Sequence, residues 1–174
     1  MEVSKAYVDA FFAGCDKISL LEMVKIQAQV LVPLVRALRK ELGTERANQI
    51  VAEALRSWSR ELYHRIGEQM QGRPTEKFDA MMEAWMPKIG SDVDFDTIRQ
   101  TPEQWDFNIT GCRYAEFFRQ LGEPELGALL LCEQDLHVTE LLGSPEVKLE
   151  RTQTIMKGAS YCDFRWSMKR NRET

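Results

Sequence analysis

Histidine is scarce in this 174-residue chain, which has only His64 and His137. A metal centre built on several imidazoles is excluded, and a Ser-His-Asp triad has few ways to be assembled. Cysteine pairs are missing too. Cys15, Cys112, Cys132 and Cys162 form no C-x-x-C, and their spacing matches no structural zinc class. No apolar run approaches the roughly 20 residues that cross a bilayer. Lys5, Asp9 and Asp16 interrupt the N-terminal stretch, so no signal peptide is read. These absences lead to the expectation of a cytoplasmic protein with reduced thiols and no membrane partner. There is no basic stripe with interleaved aromatics, and the formal charge is −4. The one basic cluster, Lys169-Arg170-Asn171-Arg172, reads as a solvated end, so nucleic acid is not expected as a partner. Internal repeats and low-complexity segments are also lacking.

Helical signals fill the first half. Ser19-Leu-Leu-Glu22 is a capping box, and Gly43 is a good C-terminal stop. Between them Leu20, Met23, Val24, Val30, Leu31, Leu34, Val35 and Leu38 recur at helical spacing, with a kink expected at Pro33. Thr44 is expected to cap a second helix reaching about Gln69 with Ile50, Val51, Leu55, Trp58, Leu62 and Ile66 as its stripe. After the break at Gly72-Arg73-Pro74, a third helix carries Phe78, Met81, Met82 and Trp85 and is expected to end at Pro87.

The second half changes period. Val93 to Gln100 and Trp105 to Thr110 read as a hairpin around Thr101-Pro102-Glu103-Gln104, with Trp105, Phe107 and Ile109 on the apolar face. Gly111-Cys112 leads into a helix from Arg113 to Leu121, and Pro124 opens another running to about Leu142. Two closing strands flank Gly158. The expected fold is α+β: a helical N-terminal half, residues 1–90, packed on a β-β-α-α-β-β half, residues 91–170. The sheet is antiparallel with about four strands. One domain over residues 1–174 is expected, because the sheet alone would leave a bare apolar face.

Three constellations carry candidate chemistry. In the last strand Cys162, Phe164, Trp166 and Met168 share one face, which must be the buried one. In the strand before it Arg151 is in register with Val147, Leu149 and Ile155. An arginine on a core face needs a partner, because it stays charged up to about pH 12. It can hold an anionic ligand beside Cys162, or pair with a carboxylate such as Glu116 or Asp135. Cys112 stands at a strand-to-helix junction, where the helix dipole and free amides are expected to lower its pKa; the alternative is a small buried residue at a tight corner. Cys132 and Asp135 are i, i+3 neighbours on a helical face. Cys132 follows a leucine run and reads as core, whereas Asp135 is a candidate general base or partner of Arg151.

These residues resemble the L-2-amino-thiazoline-4-carboxylic acid hydrolase family. The resemblance rests on Phe107-Asn-Ile-Thr-Gly-Cys112-Arg-Tyr114-Ala, Leu121-Gly-Glu-Pro-Glu-Leu-Gly127, Leu131-Cys132-Glu-Gln-Asp135, Arg151-Thr-Gln-Thr154-Ile, and Gly158-Ala-Ser-Tyr-Cys162-Asp163-Phe164-Arg-Trp166. It covers about residues 93 to 168, and His137 is outside the pattern. It implies hydrolytic opening of a cyclic amidine to an N-carbamoyl amino acid, without metal or other cofactor. Cys162, Asp135 and Cys112 become the candidate catalytic groups, and Arg151, Tyr114 and Trp166 the candidate substrate-binding groups. The implied partner is a small acidic heterocycle; a homodimer is compatible with it. A rival reading is a non-catalytic, sensor-like domain in which Trp58, Trp85 and Trp166 hold an apolar ligand. An enzyme should converge at least two titratable groups on a compact polar pocket, and a sensor should have a larger apolar one.

Overall fold

The computed structural model describes residues 18–142 and 145–169. Cys15, Gly143, Ser144 and residues 170–172 of the basic cluster lie outside the described residues. Among the described residues no helix is long and apolar enough to cross a membrane.

Helix α1 (Leu20–Leu42) begins at the expected capping box: Glu22 N donates to Ser19 Oγ at 3.1 Å and Ser19 N donates to Glu22 Oε2 at 2.9 Å. It buries Ala28, Val32 and Val35 and continues through Pro33 to Gly43, whose φ of 80° ends it. Helix α2 (Thr44–Gln69) follows at once. Here Gly43 takes the cap position without a side-chain bond, so Thr44 is the first helical residue and not the cap. Helix α3 (Pro74–Ile89) runs past Pro87, where an end was expected. Proline removes one N–H in the last turn, and a carbonyl on an exposed face can bond water instead.

Strands β1 (Val93–Gln100) and β2 (Gln104–Cys112) form the expected hairpin, and α4 (Arg113–Gln120) starts directly from the last residue of β2. The next helix departs from the expected α-helix. It opens as α5 (Pro124–Gly127), widens to a π-turn over Ala128–Cys132, and tightens to a 3-10 run over Gln134–Leu142. Gly127 lies where an added Cβ would meet Phe118 Cγ at 2.6 Å and Met156 Sδ at 2.7 Å, so only glycine permits this approach.

Strands β3 (Val147–Glu150) and β4 (Cys162–Met168) complete a four-stranded antiparallel sheet of order β1-β2-β4-β3. The fold is α+β. Alternation in β4 is as the sequence implies: Cys162, Phe164, Trp166 and Met168 are all buried. Across β2 and β4, Phe107 pairs with Phe164, and their rings stack at 5.0 Å between centroids. Phe78 of α3 lies 4.8 Å from the Trp166 ring, and one core cluster unites α1, α3, the sheet and the irregular helix.

β3 is shorter than its sequence suggests. Thr152 and Thr154 leave the ladder, and Ile155–Lys157 form a 3-10 turn ended by Gly158 at φ 97°. The reason is Asp163, whose carboxylate accepts from Thr152 N at 3.0 Å, Thr152 Oγ1 at 2.6 Å and Gln153 N at 2.8 Å. A side chain thus takes the amides that a strand partner would have bound.

Candidate functional site

The site is built around one ion pair. Arg151 follows the last residue of β3, and its side chain is only 6 % exposed. Its Nη1 donates to Asp135 Oδ2 at 2.5 Å and its Nη2 to the Cys132 carbonyl at 2.5 Å, while the guanidinium lies 5.3 Å from the Phe164 ring centroid. Arg151 therefore turns inward, and of the two carboxylates considered its partner is Asp135. The change from π-turn to 3-10 run falls between Cys132 and Gln134. That change aims the Cys132 carbonyl and the Asp135 carboxylate at the same guanidinium. Such local departures from α-helix are frequent at functional sites.

Burial pushes the Asp135 carboxyl above its ordinary range, and Arg151 only partly opposes this. Yet 44 % of the Asp135 side chain is uncovered.

Three thiols share this neighbourhood. Cys112, Cys132 and Cys162 each feel the charge of Asp135, and Cys132 and Cys162 also feel that of Arg151. Cys162 Sγ accepts from Ile155 N at 3.2 Å. Cys112 caps α4, and its Sγ accepts from Ala115 N at 3.4 Å. The helix start is where the sequence places it, but the expected lowering of the Cys112 pKa is overturned. Burial raises it by more than the amides of Ala115 and Tyr114 lower it. Burial likewise raises Cys162, and it pushes Cys132 up to about 12. All three rest as neutral thiols near neutral pH, so each needs a base to become a nucleophile. Cys112 has two backbone donors to a developing thiolate, whereas no backbone amide of the described residues supports Cys132 in this way. Cys112 is expected to be alkylated faster than Cys132 in the native protein, as followed by peptide mass mapping against time. Equal or reversed rates would count against amide stabilisation.

Tyr114 joins the cluster from the first turn of α4. Its hydroxyl donates to Asp92 Oδ2 at 3.0 Å, and burial and Asp92 both raise its pKa. Asp92 carries no sequence signal; it stands 22 residues away and is brought to Tyr114 by the β1-β2 hairpin. Tyr63 of α2 was missed as well. Burial and then Asp135 raise its pKa, and its ring lies 5.9 Å from that of Trp85. Trp166 is not brought into this group. It lies four residues along β4 from Cys162, about 13 Å at strand spacing, and packs on Phe78 with no hydrogen-bond partner among the described residues for its buried indole N–H.

Among the described residues two surface grooves stand out, and of the candidate site residues Arg151 alone lines either of them. One, of about 460 Å³, is lined by Arg56, His137, Arg151 and the Thr152–Thr154 loop; the other, of about 720 Å³, lies over Ala52, Arg119 and Leu129. Glu133 and Lys157 line both and approach to 4.0 Å. Among the described residues no three His, Cys, Asp or Glu side chains are placed to hold a metal ion.

The arrangement coincides with the motifs of one family, whose profile, L-2-amino-thiazoline-4-carboxylic acid hydrolase, matches residues 23–166. The chain belongs to that family. The match extends well N-terminal of the region about residues 93 to 168 where motifs are legible, so the helical half is part of the family's pattern. No curated protein matches the chain. Among solved structures it is similar to the phenol-responsive sensory domain of the transcription activator PoxR, crystallised with phenol. The identity is 13 %, covering 79 % of this chain and 72 % of that one, with a TM-score of 0.43. A likeness at that level carries no argument about ligand or activity.

Proposed function

We propose that the protein is a hydrolase that opens a small cyclic amidine, such as 2-amino-thiazoline-4-carboxylate, to an N-carbamoyl amino acid. The observation that carries this reading is the Asp135–Arg151 pair set among Cys112, Cys132 and Cys162. Family membership supports the reaction class.

The chemistry follows from what each group can do. Ring opening adds the elements of water: an oxygen bonds to the carbon between nitrogen and sulfur, the carbon–sulfur bond breaks, and the sulfur leaves as a thiol. A buried neutral thiol or a water must lose a proton to attack, and Asp135 is the carboxylate that all three cysteines feel. Its raised pKa makes it a better base than a solvated aspartate. Two routes are compatible with this geometry. In one, Cys162 or Cys112 gives its proton to Asp135 and attacks, and water then releases the product. In the other, water attacks directly with Asp135 as base. Arg151 is already engaged by Asp135 and Cys132, so a substrate carboxylate that reaches it shares the guanidinium with Asp135.

The test is direct. Purified protein is incubated with 2-amino-thiazoline-4-carboxylate and no added cofactor, and the released thiol is titrated against time. Turnover is the expected result. No turnover across a panel of cyclic amidines and amides would sink the proposal and favour a binding domain.

A further inference from the structure

We propose that Tyr114 and Asp92 form the specificity element for the amidine end of the substrate: the Tyr114 hydroxyl donates its hydrogen bond to Asp92 and presents only lone pairs to a substrate N–H. This rests on the hydrolase reading for the class of substrate.

Asp92 is built into the molecule as a fixed acceptor. It is 5 % exposed. Its backbone N–H donates to the Ile89 carbonyl at 2.8 Å, and its own carbonyl accepts from Arg113 N at 3.0 Å, which pins it between α3 and α4. Its Oδ2 accepts from the Tyr114 hydroxyl at 3.0 Å and from Leu21 N, in the first turn of α1, at 3.3 Å. The amino end of a 23-residue helix favours a carboxylate there. Among the described residues no lysine or arginine is paired with it.

A phenol has one proton and two lone pairs. With that proton committed to Asp92, the remaining face of the Tyr114 oxygen can only accept. Groups that donate, such as the N–H of an amidine, fit it; groups that only accept, such as a carboxylate or a ring sulfur, do not. Tyr114 stands two residues after Cys112, the cap of the same helix, and feels the charge of Asp135, so this acceptor belongs to the cluster where the reaction is proposed. Charge points the same way. Asp92 sets a carboxylate directly behind the Tyr114 oxygen. A protonated amidine is attracted there.

The experiment uses two probes that share a ring and a carboxylate: 2-amino-thiazoline-4-carboxylate and 2-thiazoline-4-carboxylate, which lacks the exocyclic amino group. Affinities are measured by calorimetry in an Asp135→Asn background, where the amino compound is consumed slowly, for the otherwise wild-type protein, Tyr114→Phe and Asp92→Asn, with circular dichroism as the check on folding. The otherwise wild-type protein should prefer the amino compound by about tenfold or more, because a site built to bond an N–H rejects the analogue without it. Tyr114→Phe should erase most of that preference while leaving affinity for the des-amino probe unchanged. In turnover it should raise KM more than it lowers kcat. A purely structural role would weaken both probes alike. If Asp92→Asn fails to fold, Tyr114→Phe decides alone, since it removes one oxygen and keeps the ring. A folded Tyr114→Phe that retains the full preference and turns over the amidine overturns this assignment and leaves the hydrolase reading standing. A wild type that neither binds nor opens the amino compound overturns both.

Discussion

Asp135→Asn is expected to lower turnover of 2-amino-thiazoline-4-carboxylate by about 100-fold or more, the usual contribution of a positioned general base. The amide oxygen introduced by Asp135→Asn still accepts from Arg151 Nη1, so the fold should survive, and activity is compared well below the melting temperature. The pH profile supplies an independent check. Burial raises the Asp135 pKa, so the basic form is lost as pH falls through a value above the ordinary aspartate range. The acid limb of kcat/KM in wild type should therefore lie above pH 3.8, the unshifted value, and should vanish in Asp135→Asn. Cys162→Ala separates the two chemical routes. The truncation should cost about 1–2 kcal/mol of stability, within the range of ordinary core substitutions. Loss of turnover in a folded Cys162→Ala assigns it as nucleophile. Full activity would leave Cys112 or water activated by Asp135. Unchanged turnover in Asp135→Asn would remove the general-base proposal altogether.

Arg151→Met should destabilise the protein at neutral pH by about 2–4 kcal/mol, somewhat below the range for breaking a fully buried pair because Asp135 is partly uncovered. The cost comes from the carboxylate left without its counter-charge and from a guanidinium removed from the Cys132 carbonyl and the Phe164 ring. The sign with pH follows from linkage. A carboxyl whose folded pKa is raised contributes stability below its unfolded pKa and loses it as pH rises through the folded one. Without Arg151 the Asp135 pKa rises further, so the destabilisation should be larger at pH 8 than at pH 5 in urea unfolding. A pH-independent loss would mean that the arginine acts mainly through packing. Arg151→Met combined with Asp135→Leu should recover part of the loss, because the uncompensated charge is then gone.

How much of this was legible in the chain depends on the range of each interaction. The capping box at Ser19, the stop at Gly43, the hairpin turn and the alternation from Cys162 to Met168 are local rules, and each appears in the structure where it was read. The inward turn of Arg151 was legible as well, although its register argument assumed a longer strand. β3 stops at Glu150 because the Asp163 carboxylate captures the amides of residues 152 and 153, a bond across ten or eleven positions that no local pattern announces. At Pro87 the helix continues because a lost N–H in its last turn is tolerated on an exposed face, and at Cys132 it changes where Arg151 takes the Cys132 carbonyl. Propensity fixes where a helix is favoured, while packing and the available hydrogen-bond partners decide whether it continues, widens or tightens.

The residue types of the site, the order of the motifs and the α+β character follow from the sequence alone, because side-chain chemistry and hydrophobic period are local properties. Which carboxylate meets Arg151, which phenol meets Asp92, and whether a helix dipole or burial governs Cys112 were decided only by tertiary structure. Each depends on bringing together groups far apart in the chain, and on how much water the surrounding core removes from them.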